Sequence, residues 1–226
     1  MRQPDQLEPG EITMQIRQLS RKYSGNASLN FLLALLISLS VILFMHSMTT
    51  QKAIRHTPGT LVQEEPTQTM LNTENQWKIN DYIIKPVATF YIRARVLHTR
   101  QYSNDREADL SPIDLALGWG QLSDQAILDK ITITQSNRWY YWRYENPPPI
   151  KQSEIIAQSS NMHMIPASSY VKDKLNQIRE GNIVRISGYL VNISGSNNYK
   201  WNSSTSRTDT NQGSCEVVWV ESVTIE

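Results

Sequence analysis

The chain has 226 residues, 22 lysines and arginines against 21 aspartates and glutamates, a net charge of +1, and one cysteine. So even a balance excludes a protein whose main task is to hold nucleic acid or an anionic membrane through bulk electrostatics. The lone Cys215 excludes an intramolecular disulfide and leaves the redox compartment open.

In chain order, residues 1–28 form a polar head in which Ile12, Ile16 and Leu19 have helical spacing. From Leu29 to Met48 the chain is apolar apart from Asn30, Ser38, Ser40, His46 and Ser47. That is long enough for a helix to cross a bilayer core of roughly 30 Å. His46-Ser47-Met48-Thr49-Thr50 offers no small-x-small cleavage site, so the segment is expected to stay as a signal-anchor. Arg17, Arg21 and Lys22 on one side outnumber Lys52 and Arg55 on the other, which places the amino terminus in the cytoplasm. Residues 49–75, rich in Thr, Gln, Glu and Pro and poor in aromatics, are expected to be a flexible tether. Residues 76–226, with all six tryptophans, are expected to be an extracytoplasmic globular domain.

Within that body, Val87 to Leu97 alternates apolar and polar residues, the pattern of a half-buried strand. Ser111-Pro112 predicts a short helix through Leu117, capped by the serine, with Asp114 near its positive end. Ser123 predicts a second, to about Lys130. Residues 131–134 and 138–145 read as a hairpin with an aromatic second strand. Ala167 to Glu180 predicts the best helix of the body, with Gly181 as its stop. Asn182 to Ile193, Tyr199 to Ser204 and Ser214 to Ile225 read as strands. The expected fold is α+β: one transmembrane helix, a tether, then a mostly antiparallel, β-rich domain with about three short helices. Gly-punctuated strands after a helix also suit a small curved barrel such as an OB-fold.

Four stretches bear on chemistry. Arg138-Trp139-Tyr140-Tyr141-Trp142-Arg143-Tyr144 interleaves cations with rings, so Arg138, Trp139 and Trp142, with the distant Arg207, are candidate ligand-binding residues. Alternation also lets one set of rings pack the core. Met162-His163-Met164 combines thioethers with an imidazole, a ligand set that suits copper, whereas packed methionines beside a hydrogen-bonded His163 need no metal. Cys215, at the exit of a polar loop, is a candidate nucleophile with His163 as base and Asp209 or Asn161 as orienter. Its place on the apolar face of a strand is instead what a buried structural thiol requires. Asp109 and Asp114 are paired carboxylates suited to acid–base or cation work, or simply helix caps. His98, at a strand end, is expected at the surface.

Gly213-x-Cys215 resembles the cysteine segment of cell-wall L,D-transpeptidases, without that family's histidine–glycine element. More broadly, Asp109 to Asp124, Gln135 to Tyr140, Ser160 to Ala167, Ser206 to Thr210 and Gly213 to Glu216 resemble an uncharacterised family of bacterial single-pass membrane-anchored proteins. The resemblance implies a bacterial inner-membrane setting with a periplasmic body, and no activity or cofactor. The expected function is thus a non-enzymatic binding or assembly module of the envelope. Its expected partners are the bilayer, through residues 29–48, and an envelope protein or glycan, with no nucleic acid. The alternatives are a thiol hydrolase or transpeptidase using Cys215 and His163, and copper handling at His163, Met162 and Met164.

Overall fold

The computed structural model describes residues 14, 29–41, 52–206 and 214–226. They fall into two compact units, Met1–Gln51 and Lys52–Glu226. In the first, residues 29–41 are helical (α1) with exposed apolar side chains. The hydroxyls of Ser38 and Ser40 donate to the carbonyls of Leu35 and Ile37 at 2.9 and 2.8 Å, so neither needs an outside partner. No helix among the described residues is long and apolar enough to cross a membrane. Residues 42–48 of the expected span, and the head apart from Met14, lie outside the described residues.

The second unit is α+β, strand-rich and mainly antiparallel. Its spine is the 20-residue β3 (Tyr82–Gln101), longer at both ends than the expected Val87 to Leu97, with buried and outer positions alternating from Tyr82 to Ala94. β3 pairs along its first part with β8 (Ile183–Gly195) and along its last part with β4 (Ile113–Gly118). β4 pairs with β7 (Ser159–Pro166), β7 runs parallel to β10 (Glu216–Ile225), and β10 returns to β8. These pairings close five strands into a ring, which leaves no open edge along that circuit. β2 (Trp77–Ile79) and β9 (Tyr199–Asn202) extend it as short hairpins. β5 (Ile131–Ser136) and β6 (Trp139–Tyr144) form a separate hairpin inserted between β4 and β7.

Inward positions fill the ring with one core: Phe90, Ile92, Leu115, Met162, Met164, Ile186 and Val218 are all buried there. One helix, α4 (Ser169–Leu175), adds Val171 and Leu175 to this core, with the Ser168 hydroxyl accepting from the Val171 amide at its start. Each such fully buried aliphatic side chain contributes about 1.5–3 kcal/mol. The short α2 (Gln125–Leu128) is capped by Asp124, one residue after the expected Ser123, and α3 (Gln152–Ala157) lies outside the ring beside β7.

Two expectations are corrected here. The helix expected from Ser111 to Leu117 is the strand β4, every residue of which is buried. Cap signals there are local, whereas pairing with β3 on one side and β7 on the other satisfies the whole backbone. The expected flexible tether is, from Lys52, part of the body. The Ile54 amide donates to the Glu180 carbonyl at 2.8 Å, the amides of Leu61 and Val62 both donate to Ser123 Oγ at 3.0 Å, Val62 is fully buried, and β1 (Thr67–Met70) pairs with β3. Gly181 permits this: its φ is +88°, and a Cβ there would sit 2.0 Å from the Ile54 carbonyl oxygen.

A surface cluster on the sheet yields a pH prediction. Arg93 and Arg185 lie directly opposite on β3 and β8, a like-charge pair that Glu226 neutralises, reaching Arg93 at 2.7 Å and also bonding Arg185. Hydrogen bonds from Arg93 first, then Arg185, pull the Glu226 carboxyl down from 4.5 to about 2. Its folded value is depressed, so the stabilisation is present above the ordinary value and is lost as pH falls through about 2. The groups are partly exposed, so Glu226→Gln should cost no more than about 1 kcal/mol at neutral pH, or roughly 2–4 °C in Tm, and less near pH 2. Thermal melts at both pH values check this; equal losses would mean that the charge is irrelevant.

Candidate active site

Strand alternation builds the site on the outer wall of the ring. Because Ile113, Leu115 and Leu117 point into the core, Asp114 points out; because Met162 and Met164 point in, Asn161 and His163 point out. Register then sets Asp114 opposite His163, and His163 opposite Val217 on β10, two residues beyond Cys215. Asp114 is fully buried and His163 is 4% exposed. The ring Nδ1 stands 2.9 Å from Asp114 Oδ2. Neither atom has an aligned hydrogen bond, so this is a close charge contact with the carboxylate off the N–H direction. Trp201 tilts over the ring with its centroid at 4.9 Å.

The other Asp114 oxygen is held by Arg138, whose Nη1 donates to Oδ1 at 2.8 Å. Arg138 also donates twice to Asp105, at 2.9 and 2.6 Å, and lies over the Tyr102 ring at 3.9 Å. It can reach them because Asn137 and Arg138 form the two-residue turn of the β5–β6 hairpin with φ of 51° and 68°, the left-handed pair that such tight hairpins require. Arg138 in turn keeps the Asp105 carboxyl below its ordinary value.

Burial disfavours a charged imidazole at His163, but Asp114 and then Cys215 beside it outweigh that cost and push its pKa up to about 9. Cys215 stands beside the ring and is half-buried, opening on a cleft of about 370 Å³ lined by Trp119, Trp139, Tyr140, Trp142, Gln152, Ser160 and Asn161 among others. Asn161 Nδ2 points one hydrogen at the Arg138 carbonyl, 3.0 Å away, and approaches Cys215 Sγ to 3.8 Å. Its oxygen accepts from Gln135, and Gln135 Oε1 is 2.8 Å from His98 Nδ1. The amide beside the sulfur is therefore fixed in orientation by two further side chains. Trp119 lines the cleft, and its indole N–H is buried with no partner among the described residues.

The structure thus brings Cys215 and His163 together as a candidate pair, but the carboxylate behind His163 is Asp114. Asp209 and Arg207 lie outside the described residues. Sequence reasoning treated Asp114 as a helix cap; the available signal was a lone acid at mid-run in Ile113-Asp114-Leu115-Ala116-Leu117. Its pairing with Asp109 does not form, since Asp109 is exposed in a 3-10 turn (Arg106–Asp109). A structural, fully buried Cys215 is likewise corrected, because the residue precedes β10 and borders the cleft. His98 is half-buried and bonded, not a free surface residue.

Trp139 and Trp142 line the cleft as candidate ligand contacts, while Arg138 is spent on Asp105 and Asp114. The candidate metal set does not converge: Met162 and Met164 are fully buried in the ring and His163 faces the other way. Among the described residues no group of three His, Cys, Asp or Glu is arranged to hold a metal ion. Compared with known proteins, the chain matches no family model, no curated protein and no solved structure.

Proposed function

We propose that residues 52–226 are an OB-like barrel carrying a cysteine nucleophile, and that the protein is a thiol-dependent acyl-transfer enzyme of the hydrolase or transpeptidase type. The observation that carries the reading is the order Cys215–His163–Asp114, with the sulfur on the cleft side and the carboxylate buried behind the imidazole. The OB-like reading is supported by the strand circuit β3–β4–β7–β10–β8, and by a cleft bordered by Trp119 just after the second strand of that circuit, by the third strand and by the loop before its last strand in sequence.

In this mechanism the Cys215 thiol proton resides on His163, whose raised pKa favours the imidazolium, and Asp114 holds that cation beside a thiolate sulfur. The sulfur attacks a carbonyl carbon, and the oxygen that gains charge is met by the Asn161 amide. Collapse expels an amine or alcohol, which receives the proton from His163 and leaves a thioester on Cys215. Water or an acceptor amine then loses a proton to His163, attacks the thioester and restores the thiol.

The test is alkylation of Cys215 by iodoacetamide in the full-length protein. Labelling of the folded protein near neutral pH should be at least as fast as in urea, and His163→Ala should slow it at least about tenfold. Labelling only after unfolding would sink the proposal.

We also propose that the Leu29–Met48 run anchors the chain in a bacterial inner membrane, with the amino terminus cytoplasmic and the body periplasmic. The apolar exposed side chains of α1 and its self-satisfied serines support this. Protease added to spheroplasts should degrade the body while the protein resists alkaline extraction; a body protected until lysis would reverse the orientation. A second reading, a non-catalytic envelope-binding module, is favoured by the aromatic walls of the cleft.

A further inference from the structure

We infer that the cleft beside Cys215 binds a neutral saccharide ring, so that the acyl group delivered to the sulfur is one carried on a sugar. The inference rests on the acyl-transfer reading for the chemistry at sulfur, but not for the binding itself.

Three observations support it. First, Trp139 and Trp142, both half-buried on β6, present indole rings to the cleft, and flat aromatic faces cover the C–H faces of a pyranose. Second, the polar lining is mostly neutral: Gln152, Ser159, Ser160 and Asn161 offer amide and hydroxyl groups of the kind that exchange hydrogen bonds with sugar hydroxyls. The charged lining residue among those described is Glu216, already engaged by the Ser160 hydroxyl. Third, the Trp119 indole N–H has no acceptor among the described residues, although the residue is 1% exposed and lines the same cleft. A buried donor left unpaired is costly, and a sugar oxygen admitted by a small shift of the cleft wall removes that cost.

OB-like barrels bind oligonucleotides or oligosaccharides on this face. Charge decides between them. A phosphate backbone needs lysine or arginine to neutralise it, and among the described residues neither lines the cleft. Stacking without phosphate contacts suits an uncharged ring.

The experiment is a titration of full-length protein, in a detergent without a sugar headgroup, with chitotriose and cellotriose, read by tryptophan fluorescence and calorimetry. At least one of the two should bind saturably below about 10 mM. Trp139→Ala should weaken binding about tenfold; Trp142→Ala should do the same and also lower Tm, because that ring stacks on Tyr144 and packs against the cluster of Leu97, Leu122 and Ile155. Trp119→Phe, which keeps an aromatic ring and removes the donor, should weaken it about threefold to tenfold. Cys215→Ser should bind as the unchanged protein does, so loss of thiol reactivity and loss of sugar binding are read separately. No saturable binding of either sugar, binding indifferent to Trp139 and Trp142, or tighter binding of a hexathymidylate than of either sugar would overturn the inference.

Discussion

Asp114→Asn is expected to bring the His163 pKa down from about 9 by about one to three pH units and to cost about 3 kcal/mol of stability. The carboxylate is fully buried between two cations. Arg138 keeps Asp105 and the Ser111 carbonyl after the change, so the loss falls mainly on His163, which retains the burial that disfavours its charge. The cost sits at the low end for a broken buried pair for that reason. The pH dependence has a definite sign. The folded pKa is raised above the ordinary 6.5, so the stabilisation is fully present below 6.5 and fades as pH rises through about 9. Denaturant titrations at pH 6 and pH 10 should therefore show a large and a small difference between the two proteins. A ring titration followed by NMR reads the pKa directly. An unchanged pKa in Asp114→Asn would mean that the 2.9 Å contact carries no charge coupling, and would remove the orienting carboxylate from the proposed mechanism.

Gly188→Ala is expected to destabilise the body by more than about 3 kcal/mol, a fall of roughly 10 °C in Tm. A Cβ at this position would lie 1.8 Å from the Trp219 carbonyl oxygen and 3.0 Å from the Trp219 carbonyl carbon. Those are backbone atoms, and no rotamer change moves them. Nor can β8 retreat, because Gly188 pairs with Val220 on one side and Phe90 on the other, next to the register shift between Val220 and Ser222. In an open sheet an edge strand yields; in a closed ring the displacement must pass to the next strand. Ser187→Ala, one residue earlier and half-buried, should stay within about 0.5 kcal/mol and serves as the control. Chemical denaturation of the two variants decides the matter, and equal stabilities would show that the ring opens more easily than its pairing implies.

Why some elements were legible and others were not follows from where their partners lie. The β3 alternation and the Ser168 start of α4 are local patterns, readable because each face of those segments has one environment, whereas α4 ends at Leu175, short of the expected stop at Gly181, whose left-handed backbone instead meets Ile54. β7 was read as a methionine- and histidine-bearing stretch with no element, since a strand buried on both faces, Asn161 to Ile165, shows no alternation of polarity. Residues 52–75 looked like a tether because their composition is polar, yet most of their anchors are single backbone groups bonded to Ser123, Asp124, Gln125 and Glu180. Hydrogen bonds to residues that remote leave no trace in a compositional window.

By itself the sequence determined what local chemistry can settle: an apolar run at residues 29–48, an α+β body rich in antiparallel strands, aromatic density on β6, and Cys215 and His163 as the residues most able to carry chemistry. Only the tertiary structure decided that Asp114, not a residue of the polar loop, stands behind His163, that Met162 and Met164 belong to the core, and that the ring closes through β3 and β8. The reason is register. Side chains change face with every residue along a strand, so which groups meet depends on how β4, β7 and β10 are aligned across long stretches of chain. That alignment is chosen by the burial of the whole core, a sum over residues that no local stretch of sequence contains.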